Sequence, residues 1–302
     1  MKLKRNDLFI GIYILSAVLF FIISIPSWLL DILLAFNIMV ALVILFNSLF
    51  AKEVLDMASF PTMLLFTTIF RISLNVSSTK MILRDGYAGH VVSVFGQFVG
   101  GGNLVIGTII FIVLIIVQFI VINKGSERVS EVTARFTLDA MAGKQMAIDS
   151  DLNTGAITDK EAAERRKKLQ QENSFFGSMD GATKYVKGDA TAGLIITAIN
   201  LVGGIAMGML YNGMSINDAL STYSILTIGD GLCSQIPSLL ISLSTGILVT
   251  KASSEGELGD EMVGQLFSMD RVLIMVGAAL ILLGVGLSLI HISEPTRHLR
   301  IS

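Results

Sequence analysis

Charge is what this sequence has least of. Acidic and basic residues make up 15% of the 302 residues, against about 25% in an ordinary soluble domain, while apolar residues reach 53% and the mean hydropathy is +0.73. The deficit is localised: long stretches carry almost no charge and one central stretch carries a great deal, as in a chain that crosses a bilayer several times. The net charge of −2 leaves no polybasic footprint for nucleic acid. Cysteine is down to Cys233 alone, which excludes an intrachain disulfide, and its apolar neighbours point to packing rather than redox or metal chemistry. No P-loop, HExxH or CxxC occurs, and Gly100, Gly101 and Gly102 lack the strand, helix and lysine context that phosphate binding requires. The expectation is no enzyme, no metal and no organic cofactor.

Long apolar runs are what the sequence does have. Seven windows are long enough to span a bilayer as a helix: 8–25, 29–50, 60–79, 104–122, 190–210, 232–250 and 272–290. The window at 104–122 has no formal charge, whereas 60–79 is the weakest, opening with Pro61 and holding Arg71. The first window reads as an uncleaved span, because it exceeds a signal-peptide core and no small-x-small cleavage site follows. Lys2, Lys4 and Arg5 place the N-terminus in the cytoplasm, so four crossings return 123–189 to the same side, and that segment is itself rich in Lys and Arg. Lys80 and Arg84 then fall near the outer side, either because the third span is irregular or because these cations line a protein-enclosed cavity. The fold class expected is all-α: a polytopic transmembrane helix bundle with a small cytoplasmic loop module.

The 123–189 segment carries eleven basic and eleven acidic residues, the balance of a solvated module. Thr158, Asp159, Lys160 and Glu161 fit a capping box that opens a helix through Glu164, Arg165, Arg166, Lys167 and Lys168. That charge run is a solvated face or a partner-binding one. The stretch 251–271 is short and mostly acidic, and reads as a connector between the sixth and seventh spans. The run LSLIHISEPTR at 287–297 resembles translated sequencing adapter, so the native sequence is expected to end near Gly286 and 287–302 to be a foreign tail; the other reading is a native polar tail.

A charge at the centre of a membrane helix costs at least about 2.5–3.5 kcal/mol on insertion scales, so each one has to pair or face a wet interior. At helical spacing Thr67, Arg71, Asn75 and Ser78 share one face of the third span, a polar stripe that serves either as an interhelical contact or as part of an ion path. Asp180 and Lys184 stand four residues apart before the fifth span, and Asp189 borders its uncharged run. A change in the pairing of Asp189 with Lys184 is one way to reposition the loop. Asp230 lies among Gly229 and Gly231 with Pro237 downstream, which suggests a broken helix around an ion or substrate path, although a plain interhelical turn would look similar. Gly204 and Gly208 form a small-xxx-small packing motif.

The stretch FRISLNVSSTK at 70–80 resembles the signature of the FHIPEP family, the large export-gate proteins of flagella and virulence secretion systems. The likeness continues in GGN at 101–103, ARFTLD at 134–139, GKQMAID at 143–149, SMDGA at 178–182, GDA at 188–190 and TIGDG at 227–231, in family order across 1–286. The resemblance implies spans one to four in 1–122, a conserved cytoplasmic loop in 123–189 with Arg135, Asp139, Lys144, Asp149 and Asp180 in its signature, and spans five to seven in 190–286. It implies a multi-pass protein of the bacterial inner membrane that couples a proton or sodium motive force to export of flagellar subunits, with Asp31, Lys80, Lys184, Asp189 and Asp230 at the charged positions. It also implies a homo-oligomeric ring, a nonamer, among other export-gate subunits. Export substrates, chaperones and the ATPase complex would dock mainly on a C-terminal domain beyond this sequence. Lys80 stands where the family usually has arginine, and Ala142 replaces a usual proline. The GHVVSVFGQF run at 89–98 resembles the flagellar branch more than the virulence branch. Two other readings stay open: a stand-alone secondary ion transporter, which predicts internal repeats, and a structural scaffold of the secretion ring.

Overall fold

The structure is a computed structural model that describes residues 5–251 and 258–292, and it is all-α, with no strand among the described residues. The helices in chain order are α1 (Arg5–Ile22), α2 (Ser27–Phe50), α3 (Phe60–Asp85), α4 (His90–Gly100), α5 (Leu104–Val117), α6 (Lys124–Asn153), α7 (Asp159–Leu210), α8 (Ile216–Thr250), α9 (Leu258–Phe267) and α10 (Asp270–Ile292). A 3₁₀ turn at Val54–Met57 precedes α3, and a π-helical segment at Gln118–Asn123 joins α5 to α6. Five of the described helical stretches are long and apolar enough to cross a membrane. The chain divides into two units, Met1–Glu255 and Gly256–Ser302. The second contributes α9 and α10, the latter carrying the seventh apolar window.

Local sequence sets the helix ends. Pro61 falls in the first turn of α3, where its missing N–H is one the helix would leave unpaired anyway, so the proline that weakened this window is compatible with it. Gly86, at φ 61°, closes the same helix in the left-handed conformation. Asn103 caps α5 by accepting from the N–H groups of Val105 and Ile106 at 3.0 and 3.2 Å. The capping box is present as read: Glu161 N–H donates to Thr158 Oγ1 at 3.3 Å, and Thr158 N–H donates back to Glu161 Oε2 at 2.8 Å.

In the main unit α3, α7 and α8 form the centre, with α1, α2, α4 and α5 around them. Polar groups face inward. Arg71, Asn75, Asp189, Asn200, Asp230 and a run of serines on α8 are all buried, while α2 and α5 turn Ile32, Met39, Phe46, Ile109, Val113 and Ile116 outward. Such an arrangement suits a hydrocarbon surround, in which apolar side chains need no burial and polar ones do. Two apolar clusters lie at opposite ends of this unit, one around Phe60, Phe176, Met179 and Leu248, the other around Leu30, Leu74, Ile82 and Tyr223. The Tyr223 ring fills the groove at Gly204 and Gly208, where any added methyl group would collide with it, so the small-xxx-small pair here receives an aromatic side chain.

Several expectations change at the level of elements. The fifth window is the last part of α7, a single helix of 52 residues. At 1.5 Å per residue it is about 78 Å long, against a hydrocarbon thickness of about 30 Å, so more than half of it stands outside any bilayer. The 123–189 segment is accordingly a hairpin of α6 and the first part of α7, with its own small core of Ile148, Ala162 and Leu169. The sixth window is the latter half of α8, which begins at Ile216 and runs unbroken through Gly229, Asp230, Gly231 and Pro237; neither a broken helix nor an interhelical turn occurs there. A short helix, α4, occupies what the sequence windows left as a link, and α9 lies within the 251–271 connector. Residues 293–302, which hold most of the expected foreign tail, lie outside the described residues.

Candidate functional site: a buried polar centre between α3, α7 and α8

The stripe on α3 is turned wholly inward, with Thr67, Arg71, Asn75 and Ser78 all buried. Arg71 Nη2 makes an ion pair with Asp189 Oδ2 of α7, and the two side chains are 1% and 4% exposed. This corrects the expected partnership of Asp189 with Lys184. Five residues along a helix is about 140° of rotation, so when Asp189 faces α3 Lys184 faces solvent, where its Nζ pairs with Asp180 at 2.7 Å. A buried pair of this kind is costly to break, because the survivor is left charged and unpaired, at roughly 3–5 kcal/mol.

Arg71, Asn75 and Asp189 meet Ser234, Gln235 and Ser238 of α8 around a small cavity with room for about one water molecule. One helical turn further along, Asp230 is buried and accepts from Asn200 Nδ2 at 2.8 Å, and Ser78 faces the same carboxylate. The flanking glycines serve close packing. Gly229 lies against the Val92 carbonyl oxygen of α4, Gly96 of α4 lies against the Ile225 carbonyl oxygen, and Gly231 takes the Phe111 ring. At the depth of the ion pair α8 contains Pro237, and Gln118, the first residue of the π-helical segment, donates to the Gln235 carbonyl at 2.7 Å. Irregular turns at one depth are places where a packed helix bends at low cost.

Other charged positions hold helix ends. Both carboxylate oxygens of Asp31 accept backbone N–H groups opening α4, from His90 at 2.9 Å and Val91 at 2.8 Å, so an acid on α2 caps another helix. Lys80 Nζ donates to the last carbonyls of α1, at Phe21 and, at 3.4 Å, Ile22. Backbone carbonyls are acceptors that a single ammonium serves well, so a lysine is adequate at this position. Arg84 is exposed and pairs with Asp85. Sequence reasoning missed Lys251, a buried cation at the end of α8 whose Nζ donates to the carbonyls of Leu49, at 3.0 Å, and Ala51, at the C-terminal end of α2. Nothing in the local sequence distinguishes it from a surface lysine at the start of an acidic connector.

The loop signature lies on the hairpin surface. Arg135 pairs with Glu131 at 3.2 Å, Lys144 with Glu172 at 3.4 Å and Asp149 with Arg166 at 2.6 Å, while Asp139 is exposed. Exposed pairs like these contribute about 0–1 kcal/mol each. Cys233 is fully buried and packed in an apolar cluster. Among the described residues no three His, Cys, Asp or Glu side chains gather to hold a metal.

A helix bundle with several stretches long and apolar enough to cross a membrane, and with Arg71, Asp189 and Asp230 buried at its centre, is that of a membrane-embedded protein. The profile of the FHIPEP family matches residues 17–293, past Gly286, and the chain belongs to that family. It is 53% identical over 283 residues to the flagellar biosynthesis protein FlhA of Bacillus subtilis (strain 168), covering 94% of this chain and 42% of that protein. It is 50% identical over 278 residues to the protein of the same name from Salmonella typhimurium, covering 90% of this chain and 40% of that protein. The low calcium response locus protein D of Yersinia pestis is 47% identical over 283 residues, covering 93% of this chain and 40% of that protein. The chain therefore spans less than half the length of these curated relatives. No solved structure matches.

Proposed function

We propose that this chain is the membrane part of a flagellar type III export gate in which a proton or sodium motive force drives export of flagellar subunits. The observation that carries the reading is the buried Arg71–Asp189 pair, because it locks α3 to α7, a helix that continues into the charged hairpin. Neutralising Asp189 removes the attraction that holds α7 against α3, and α7 transmits the change to the hairpin as a rigid lever. One charge crossing 100 mV releases about 2.3 kcal/mol, so one or two charges match the roughly 3–5 kcal/mol that leaving a buried partner unpaired costs. The flagellar assignment is favoured by identities of 53% and 50% to flagellar biosynthesis proteins, against 47% to the low calcium response protein. On this reading the chain sits in the inner membrane with its N-terminus and hairpin in the cytoplasm. It would assemble as a homo-oligomeric ring with other gate subunits, and cargo and the ATPase complex would dock on the part of the relatives that this chain does not span.

The test is Asp189→Asn in the complete gate. Secretion of hook and filament subunits should fall at least about tenfold, the rate equivalent of about 1.4 kcal/mol, at unchanged membrane levels. Undiminished secretion would leave a structural scaffold of the ring as the surviving account. Ion flux by the purified chain in the absence of any cargo requirement would instead favour a stand-alone transporter.

A further inference from the structure

The hairpin of α6 and α7 stands beyond the apolar windows, yet α6 carries an apolar strip on the side away from its own core. At about 100° per residue Val129, Val132, Phe136, Ala140 and Ala147 share one face, roughly opposite the buried Ser130, Ala134 and Ile148. Val129 is 40% exposed, Phe136 69%, and Met146 at the edge of the strip 66%. A contiguous apolar strip in water marks an interaction surface. The bilayer does not cover it. The Glu127–Lys187 and Asp149–Arg166 pairs hold α6 antiparallel along α7, whose other end is a span, so α6 stands off the membrane instead of lying on it.

The counterpart is on α7. Its outward face carries Ser174, Gly177, Ser178, Gly181 and Gly188, all exposed, and each of the three glycines has open space where a Cβ would stand. Glycine in an exposed helix interior weakens the helix relative to alanine, and close approach of another backbone is what it gains in return. The register of the hairpin, set by the pairs of Glu127 with Lys187, Lys144 with Glu172 and Asp149 with Arg166, puts Phe136 level with Met179, between Gly177 and Gly181. Farther from the spans the α7 face opens into a groove of about 440 Å³ against the 3₁₀ turn, lined by Leu55, Ala58, Ser174 and Phe175. Charge is kept to the flanks of both strips, where Arg128 and Arg135 pair with Glu131, and Lys184 pairs with Asp180. One strip can therefore cover the other without stranding a charge.

We propose that the Phe136 strip of one copy packs on the Gly177–Gly181 strip of a second copy, α6 against α7, in a head-to-tail contact between hairpins. This rests on the ring reading above and names the surface through which neighbours touch. Copies in one membrane stand the same way up, and rotation about the membrane normal leaves every residue at its own depth. The two strips lie at equal depths on different helices, so each copy offers one strip to each neighbour, as a closed ring requires and a two-fold dimer does not. A strip about 27 Å long and about 10 Å wide covers roughly 300 Å² per partner, against about 800 Å² in a stable interface. The contact therefore forms between copies already gathered in one membrane, where their effective concentration is high.

The experiment co-expresses two differently tagged copies in the complete gate, one with Phe136→Cys and the other with Gly181→Cys, and oxidises the membranes with copper phenanthroline. The mixed disulfide dimer should exceed either like-with-like dimer at least about tenfold, since the bond needs Cα atoms within about 7 Å. Ala140→Cys with Ser174→Cys should behave likewise, and it replaces the first pair if either chain fails to reach the membrane. Ser150→Cys, on the same side of α6 but about 21 Å farther along, should give at least about tenfold less with Gly181→Cys. An excess of like-with-like dimers, an equal yield from the Ser150 pair, cross-linking of Phe136→Cys to a different protein alone, or no cross-link would each overturn the contact. Ring assembly is read separately from the size of the solubilised gate: a large homo-oligomer without the mixed cross-link overturns the contact alone, and a monomer overturns both. Neither result bears on the coupling reading, which is decided by secretion in Asp189→Asn.

Discussion

Asp31 and Asp189 are both acids in apolar surroundings, yet their partners set them apart. Asp31 accepts from two backbone N–H groups at the start of α4, so its negative charge is used electrostatically at a helix N-terminus. Removing such a cap costs about 0.5–2 kcal/mol. Asp31→Ala should lower stability by about 1 kcal/mol and speed amide hydrogen exchange at 90–93, with little change in exchange on α7. Asp31→Asn keeps one acceptor and should lie between. Equal acceleration of exchange over α4 and α7 would show that Asp31 holds more than a cap. Asp189 has a guanidinium for a partner and no backbone role, so its substitution acts on the contact between two spans.

At the scale of elements, the contact of α4 with α8 depends on the absence of two side chains. Gly96 and Gly229 let each backbone touch a carbonyl oxygen of the other, and a methyl group at Gly229 has nowhere to go, because its obstacle is the Val92 backbone rather than the flexible end of a side chain. Gly229→Ala should therefore destabilise the bundle by about 1–3 kcal/mol, as overpacking does elsewhere, and should loosen α4 selectively in hydrogen exchange. Gly143→Ala, at a position with open space, is the matched control and should be neutral or slightly stabilising. The π-helical segment that follows α5 and Pro237 of α8 lie at the depth of the ion pair, while α7 is one uninterrupted α-helix there.

For the molecule as a whole, the Arg71–Asp189 pair poses a question of stability against function, and a double-mutant cycle separates them. Arg71→Leu or Asp189→Leu alone should cost about 3–5 kcal/mol in thermal unfolding, since each leaves a buried charge; the double substitution should recover most of that loss. Export by the complete gate should nevertheless stay defective in the double variant. Recovery of secretion together with stability would reduce the pair to a structural contact. The far end of the hairpin of α6 and α7 is held by exposed pairs and a small core, whereas its base packs through Ala134, Phe175, Phe176 and Met179 into the apolar cluster with α2, α3 and α8, so the far end is the part most open to such a change.

The hydrophobic runs, the capping box at Thr158 and Glu161, and the inward polar stripe of α3 were legible from local periodicity, because bilayer thickness and helix geometry act on a few consecutive residues. The same three-and-four spacing was there to be read in the serines of α8, but hydroxyls carry no formal charge and pass for ordinary membrane-helix residues. Which cation meets Asp189, which helix Asp31 caps, and the burial of Lys251 depend on contacts between residues 118, about 60 and 200 positions apart in the chain. Sequence by itself determined an all-helical membrane bundle and most of the charged positions inside it. Only the tertiary structure decided their partners, because a charge in an apolar interior pairs with whatever the packing of the helices brings within reach.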